Sequence, residues 1–191
     1  MTTLTQTINA SSLGLFFQGG QTRTSGFWND QLGQELIRKL TKTNGGTGQT
    51  LGQWLASTFP KLYGAGSPNN LSTFSNAQVG TYYRVLFNMF NTNMLDAEVL
   101  SLALYIYATT SSLGGTAGTM YNLQVDANGL GAYLFNIGSH GAAFGVASGT
   151  TLNIFQIMLA ANNTAVGGEA WDSNLSLRND GLAVIRLLNG D

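Results

Sequence analysis

The chain has no cysteine. That excludes disulfides, a thiolate nucleophile and any cysteine-based metal site. Charge is scarce too. Asp, Glu, Lys and Arg make up 9% of the residues, against about 25% in an average soluble domain. The formal net charge is −1, which leaves no electrostatic footprint for nucleic acid or an anionic membrane. A surface this weakly charged is also poorly protected against self-association. No apolar run approaches the length of about 18 residues that marks a transmembrane helix. The opening "MTTLTQTINASSLGLFFQGG" does not read as a signal peptide, because it lacks a basic start and Gly14 interrupts the apolar run 13–17.

What is present suits one domain. The chain has 191 residues, and 43% of them are hydrophobic, enough to bury a sizeable core. Glycine accounts for 25 residues, and Asn, Thr and Ser carry much of the polarity. Few charges with many Asn, Thr and Gly are more usual in secreted and surface proteins than in cytosolic enzymes.

Residues 1–20 read as an N-terminal strand segment. The stretch "TTLTQTI" (2–8) is β-branched, with Thr2, Leu4 and Ile8 as candidate self-association residues. A further strand is expected in "GLFFQ" or "QTRTSGF". Residues 21–191 read as a compact α+β domain. Its first helix is expected over 28–42, with Leu32, Leu36, Ile37 and Leu40 on one stripe. Thr50 with Gln53, and Ser75 with Gln78, read as capping boxes. Val79, Tyr82, Tyr83, Leu86, Phe87 and Phe90 predict a wide buried face on the helix after Ser75. "LDAEVLSLALYIYATT" is apolar nearly all round after Glu98, as expected of a central helix. The runs "YNLQVD", "GAYLFNIG" and "GAAFGV", divided by Asn128-Gly129 and other glycines, predict a small antiparallel hairpin or meander. Thr150 or Thr151 is expected to cap the next helix, and Asp172 the last one. The fold class is therefore α+β: a mainly helical single domain with a small β-hairpin and an N-terminal strand.

Little in this pattern resembles catalytic chemistry. The single histidine, His140 in "GSHGAAFG", would need an orienting carboxylate and a nucleophile. It reads as an exposed turn residue. Asp96 and Glu98 suit the start of the central helix, and at i and i+2 they point apart. Asp30 and Glu35 read as solvent-facing. A glycosidase-type carboxylate pair would reveal itself only as a pocket joining two carboxylates. "DANG" (126–129) has its glycine too early for an EF-hand loop and reads as a turn. The Gly-rich stretches lack the Lys-Ser/Thr of a P-loop. No catalytic residue, metal site or cofactor is expected. Phe27-Trp28 at the entry of the first helix reads as a structural plug. Trp28, Trp54 and Trp171 are the candidate alternative, a platform for stacking on glycans.

Separated motifs do resemble a known module. They are "QTRTSGFWNDQLGQELI" (21–37), "LGQWLASTFPKLYG" (51–64), "SNAQV" (75–79), "LDAEVLSLALYIYATTSSLGG" (95–115), "FNIGSHGAAFGV" (135–146) and "LRND" (177–180). Together they resemble a module of very large surface proteins of planctomycete-type bacteria, where it tends to follow SdrD B-like, Cna-B-type repeats. That resemblance implies an extracellular or cell-surface setting and carries over no catalytic residue. No such repeats precede the motifs in this chain. The expectation is a non-enzymatic structural or assembly module that contacts copies of itself or neighbouring modules. A carbohydrate-binding adhesin module and a carboxylate-dependent hydrolase are the alternatives.

Overall fold

A computed structural model describes residues 15–18, 21–40, 49–89 and 94–191. Its centre is α6 (Met94–Thr109), in which every residue after Met94 is buried. A helix without a polar face can satisfy itself only by being surrounded. α5 (Asn76–Asn88), α8 (Ile154–Thr164) and α9 (Leu175–Asn189) all pack directly on it. α1 (Gly26–Asn29) and α2 (Gln31–Lys39) lean on α5, while α3 (Leu51–Thr58) and α4 (Pro60–Tyr63) connect α5 to α8. α7 (Ser111–Gly114) follows α6. None of the helices is long and apolar enough to cross a membrane among the described residues.

The helix expected over 28–42 is broken in two. Asp30 is extended, with ψ at 165°, and separates α1 from α2. The cause is a close contact inside the bend. A Cβ at Gly33 would lie 2.0 Å from the Phe27 carbonyl oxygen. Gln34 is also turned inward, and its Nε2 donates to the carbonyls of Trp28 at 2.7 Å and Gly80 at 3.0 Å. This turns the buried face toward Gly33 and Gln34 and leaves Leu32 in solvent.

Both capping boxes form, at Thr50–Gln53 and Ser75–Gln78. The later caps lie further along the chain than expected. Asn153, with Gln156, caps α8 in place of a threonine, because the strand that begins at Thr151 runs as far as Asn153 before the helix starts. Asn174 caps α9, whereas Asp172 approaches Arg178 at 3.9 Å. On α5, Val79, Tyr83 and Leu86 are buried but Phe87 is exposed, and Phe90 lies outside the described residues.

The sheet is small. β1 (Leu134–Asn136) pairs antiparallel with β2 (Thr151–Asn153), with Phe135 opposite Leu152. The chain is thus a mainly helical α+β single domain with a two-stranded antiparallel sheet. The meander is smaller than the runs suggested. "GAAFGV" falls mostly in a 3-10 helix, Gly138–Phe144, and "YNLQVD" makes one bridge, from Asp126 to Thr110. The Asp126 carboxylate accepts from the N–H groups of Asn128 and Gly129, both at 2.7 Å. The turn so formed packs Gly129 on Thr110, where a Cβ would meet Oγ1 at 2.1 Å. It does not fold back into a hairpin.

Residues 15–18 run beside β1. Phe16 bridges Leu134 in parallel: the Leu134 N–H donates to the Leu15 carbonyl at 2.8 Å, and the Phe17 N–H donates to the Leu134 carbonyl at 2.7 Å. "GLFFQ" therefore does pair. The proposed strand at 2–8, with Thr2, Leu4 and Ile8, lies outside the described residues.

Candidate functional site

Two carboxylates enter the core on the first turns of α6. Asp96 is 8% exposed and Glu98 is 4% exposed. Being two residues apart on a helix, they face different neighbours.

Glu98 is held by three side chains, one from the segment 21–25 and two from α9. Ser25 Oγ donates to Oε1 at 3.2 Å, and Asn189 Nδ2 donates to Oε2 at 2.6 Å and to the Glu98 carbonyl at 2.9 Å. Arg186 Nε sits 3.6 Å from Oε1. Burial pushes the Glu98 carboxyl up, and the bond from Asn189 opposes that; the Asp191 charge raises it further, while Arg186 and Ser25 lower it.

The same contacts clamp the segment 21–25 as a strap. Thr22 Oγ1 donates to the Leu188 carbonyl at 2.7 Å. Tyr105 Oη donates to the Arg23 carbonyl at 2.7 Å and accepts from the Arg23 N–H at 3.1 Å. Tyr83 Oη donates to the Ser25 carbonyl at 2.7 Å, and the Ser25 N–H donates to Asp191 Oδ2 at 2.8 Å. Beside this latch lies a cavity of about 570 Å³, walled by Phe87, Met89, Met94 and Ala97 and ending on Glu98, Arg186 and Asp191. Two carboxylates thus share one cavity.

Asp96 has no such support. Among the described residues no side chain hydrogen-bonds its carboxyl. Burial pushes it up to about 7, with Glu169 and Asp172 adding to the rise and Arg178 opposing it. Arg178 lies 3.3 Å from Glu169. Behind burial, the Asp96 charge also helps to raise the hydroxyls of Tyr82 and Tyr63.

His140 has the orienting carboxylate that its sequence neighbourhood lacks. Its Nδ1 is 2.8 Å from Asp180 Oδ1, and both side chains are about one-third exposed, at 31% and 36%. Among the described residues no group of three or more His, Asp or Glu side chains is placed to hold a metal ion.

The tryptophan platform is corrected by the packing. Trp28, Trp54 and Trp171 are all at most 6% exposed. Trp28 lies 5.0 Å from the Phe27 ring and 4.8 Å from that of Tyr105. Trp54 lies between Phe59 at 5.5 Å and Tyr107 at 5.2 Å. Trp171 is held in a left-handed backbone conformation, φ 56°, which a bulky side chain adopts only under firm constraint. Its Nε1 donates to the Ala143 carbonyl at 2.7 Å, and α9 presents Gly181 to its ring, where a Cβ would come within 2.6 Å. None of the three offers a free face to a sugar. Phe27-Trp28 plugs the entry to the helical region.

The latch is the feature that reading the sequence missed. Ser25, Glu98 and Asn189 are too far apart in the chain to be associated by spacing. One signal was available: a glutamate set in an all-apolar helix must find partners.

No family model matches the chain, and neither a curated protein nor a solved structure matches it.

Proposed function

We propose that this chain is a non-enzymatic structural or assembly module of a bacterial cell surface or matrix, working in contact with copies of itself or with neighbouring modules. The observation that carries the reading is the strand edge at 15–17. In the parallel bridge, Leu15 supplies the carbonyl and Phe17 the N–H that meet Leu134. The N–H and carbonyl of Phe16 therefore point away from β1, and neither has a partner among the described residues. Leu15 and Phe16 are 68% and 55% exposed, while Phe17 anchors the segment through an edge contact to Phe135 at 6.3 Å. An exposed apolar edge of this kind is a template for another strand. The low surface charge does little to oppose such pairing. The resemblance of the sequence motifs to a surface-protein module is what supports the extracellular setting.

The contact is directional. If it does not close by rotation it gives filaments. The experiment is light scattering and electron microscopy of the purified chain across concentration and salt. Growth in particle size that is lost in Phe16→Pro supports the reading. Proline removes the outward N–H and leaves both bonds to Leu134 possible.

One observation favours the hydrolase alternative, namely that Glu98 and Asp191 share a cavity. Their contacts to Ser25 and Asn189 serve the latch, so the structural reading accounts for the same residues. Glycoside hydrolysis that is lost in Glu98→Gln would reverse that order.

A further inference from the structure

We infer that the cavity beside Glu98 binds a small organic cation: a protonated primary amine carried on an apolar body. The inference does not depend on the assembly reading.

The volume, about 570 Å³, falls in the ordinary range for small-molecule sites. The wall and the end of the cavity differ in character. Phe87, Met89 and Met94 line the wall and are exposed at its mouth. An aromatic ring with two thioethers is a soft, adaptable surface for an apolar body, and the ring face attracts a cation.

The charge at the end decides the sign of the ligand. Among the described residues Arg186 is the only cationic side chain in the lining, and it is already engaged, with Nε 3.6 Å from Glu98 and Nη2 3.5 Å from the Met94 sulfur. An anion would have to compete with Glu98 for it. Asp191 is different. Its Oδ2 accepts from the Ser25 N–H, and its Oδ1 has no partner among the described residues. With Arg186 set against Glu98, the carboxylate of Asp191 makes no ion pair among the described residues. An ammonium group at that oxygen restores the balance. A neutral alcohol of the same shape gains the wall contacts only.

The probes are 2-phenylethylammonium, 2-phenylethanol and phenylacetate, titrated into the full chain by calorimetry and by NMR of the methionine methyl groups. The expected result is saturable binding of the amine with a Kd of about 1 mM or tighter, and at least tenfold weaker binding of the alcohol and the acid. Shifts should concentrate on Met89 and Met94. Asp191→Asn and Phe87→Ala should each weaken the amine about tenfold, whereas His140→Ala, remote from the cavity lining, should leave it unchanged. Both test positions are exposed, so a folded variant is expected, and a thermal melt checks it. Glu98→Gln is avoided as the main test because it disturbs the latch. Phenylacetate binding as well as the amine overturns the inference. So does an amine that fails to saturate, or one whose affinity is indifferent to both variants.

Discussion

At Glu98, chain segments far apart in sequence meet and satisfy one another: Ser25, Arg186 and Asn189 converge on one carboxylate. At residues 15–17 the reverse holds, because the strand satisfies β1 with two backbone groups and turns the next two outward. The first region is polar and closed. The second is apolar and open, with Leu15 and Phe16 in solvent. Buried polar groups need partners inside the chain, since desolvation without a hydrogen bond is costly. Exposed strand groups can wait for a partner from outside. The comparison separates what holds this fold together from what would join it to a neighbour.

The closed side should break most severely in its aromatic packing. Trp28→Ala removes the ring that sits against Phe27 and Tyr105. It should cost ~3–5 kcal/mol in denaturant melts, a large share of a typical domain's stability. Glu98→Ala comes next, at about 3 kcal/mol, because it leaves Asn189 buried and Arg186 unpaired.

Asp96 sharpens the comparison from the other direction, being buried without a latch. Its folded-state carboxyl stands at about 7, above the ordinary 3.8. The fold thus favours the protonated acid. That contribution to stability is complete below about pH 4 and is lost as pH rises through about 7. Asp96→Asn should therefore stabilise the chain by about 2 kcal/mol at pH 8, less than the full shift implies because solvent screens the charge, and by almost nothing at pH 4. Urea melts at the two pH values check this. Glu98 is raised in the same direction, so some slope should remain in the variant. A smaller effect, about 1 kcal/mol, is expected for Ser25→Ala, which deletes one of the hydrogen bonds to Glu98.

Much of the helical frame is legible in the sequence. α6 reveals itself by having no polar face, and Thr50–Gln53 and Ser75–Gln78 by cap chemistry that acts within one turn. What could not be read is what depends on distant approach. The break at Asp30 follows from Gly33 meeting the Phe27 backbone, and no periodicity encodes that. The latch joins residues 73 and 91 positions apart. His140 looks isolated because Asp180 is 40 residues further on. Trp28, Trp54 and Trp171 suit a sugar platform by type, and only their neighbours show them to be core.

The smallest expected change in stability falls at the open edge, where the largest change in assembly is expected. Phe16→Pro should change the stability by less than about 0.5 kcal/mol, as for other exposed sites away from caps and core. The measurement is particle size against concentration, by light scattering, for wild type and Phe16→Pro side by side. Wild type is expected to grow with concentration while the variant stays a monomer with an unchanged fold. A wild type that remains monomeric at high concentration, or a variant that assembles equally well, would contradict the assembly reading.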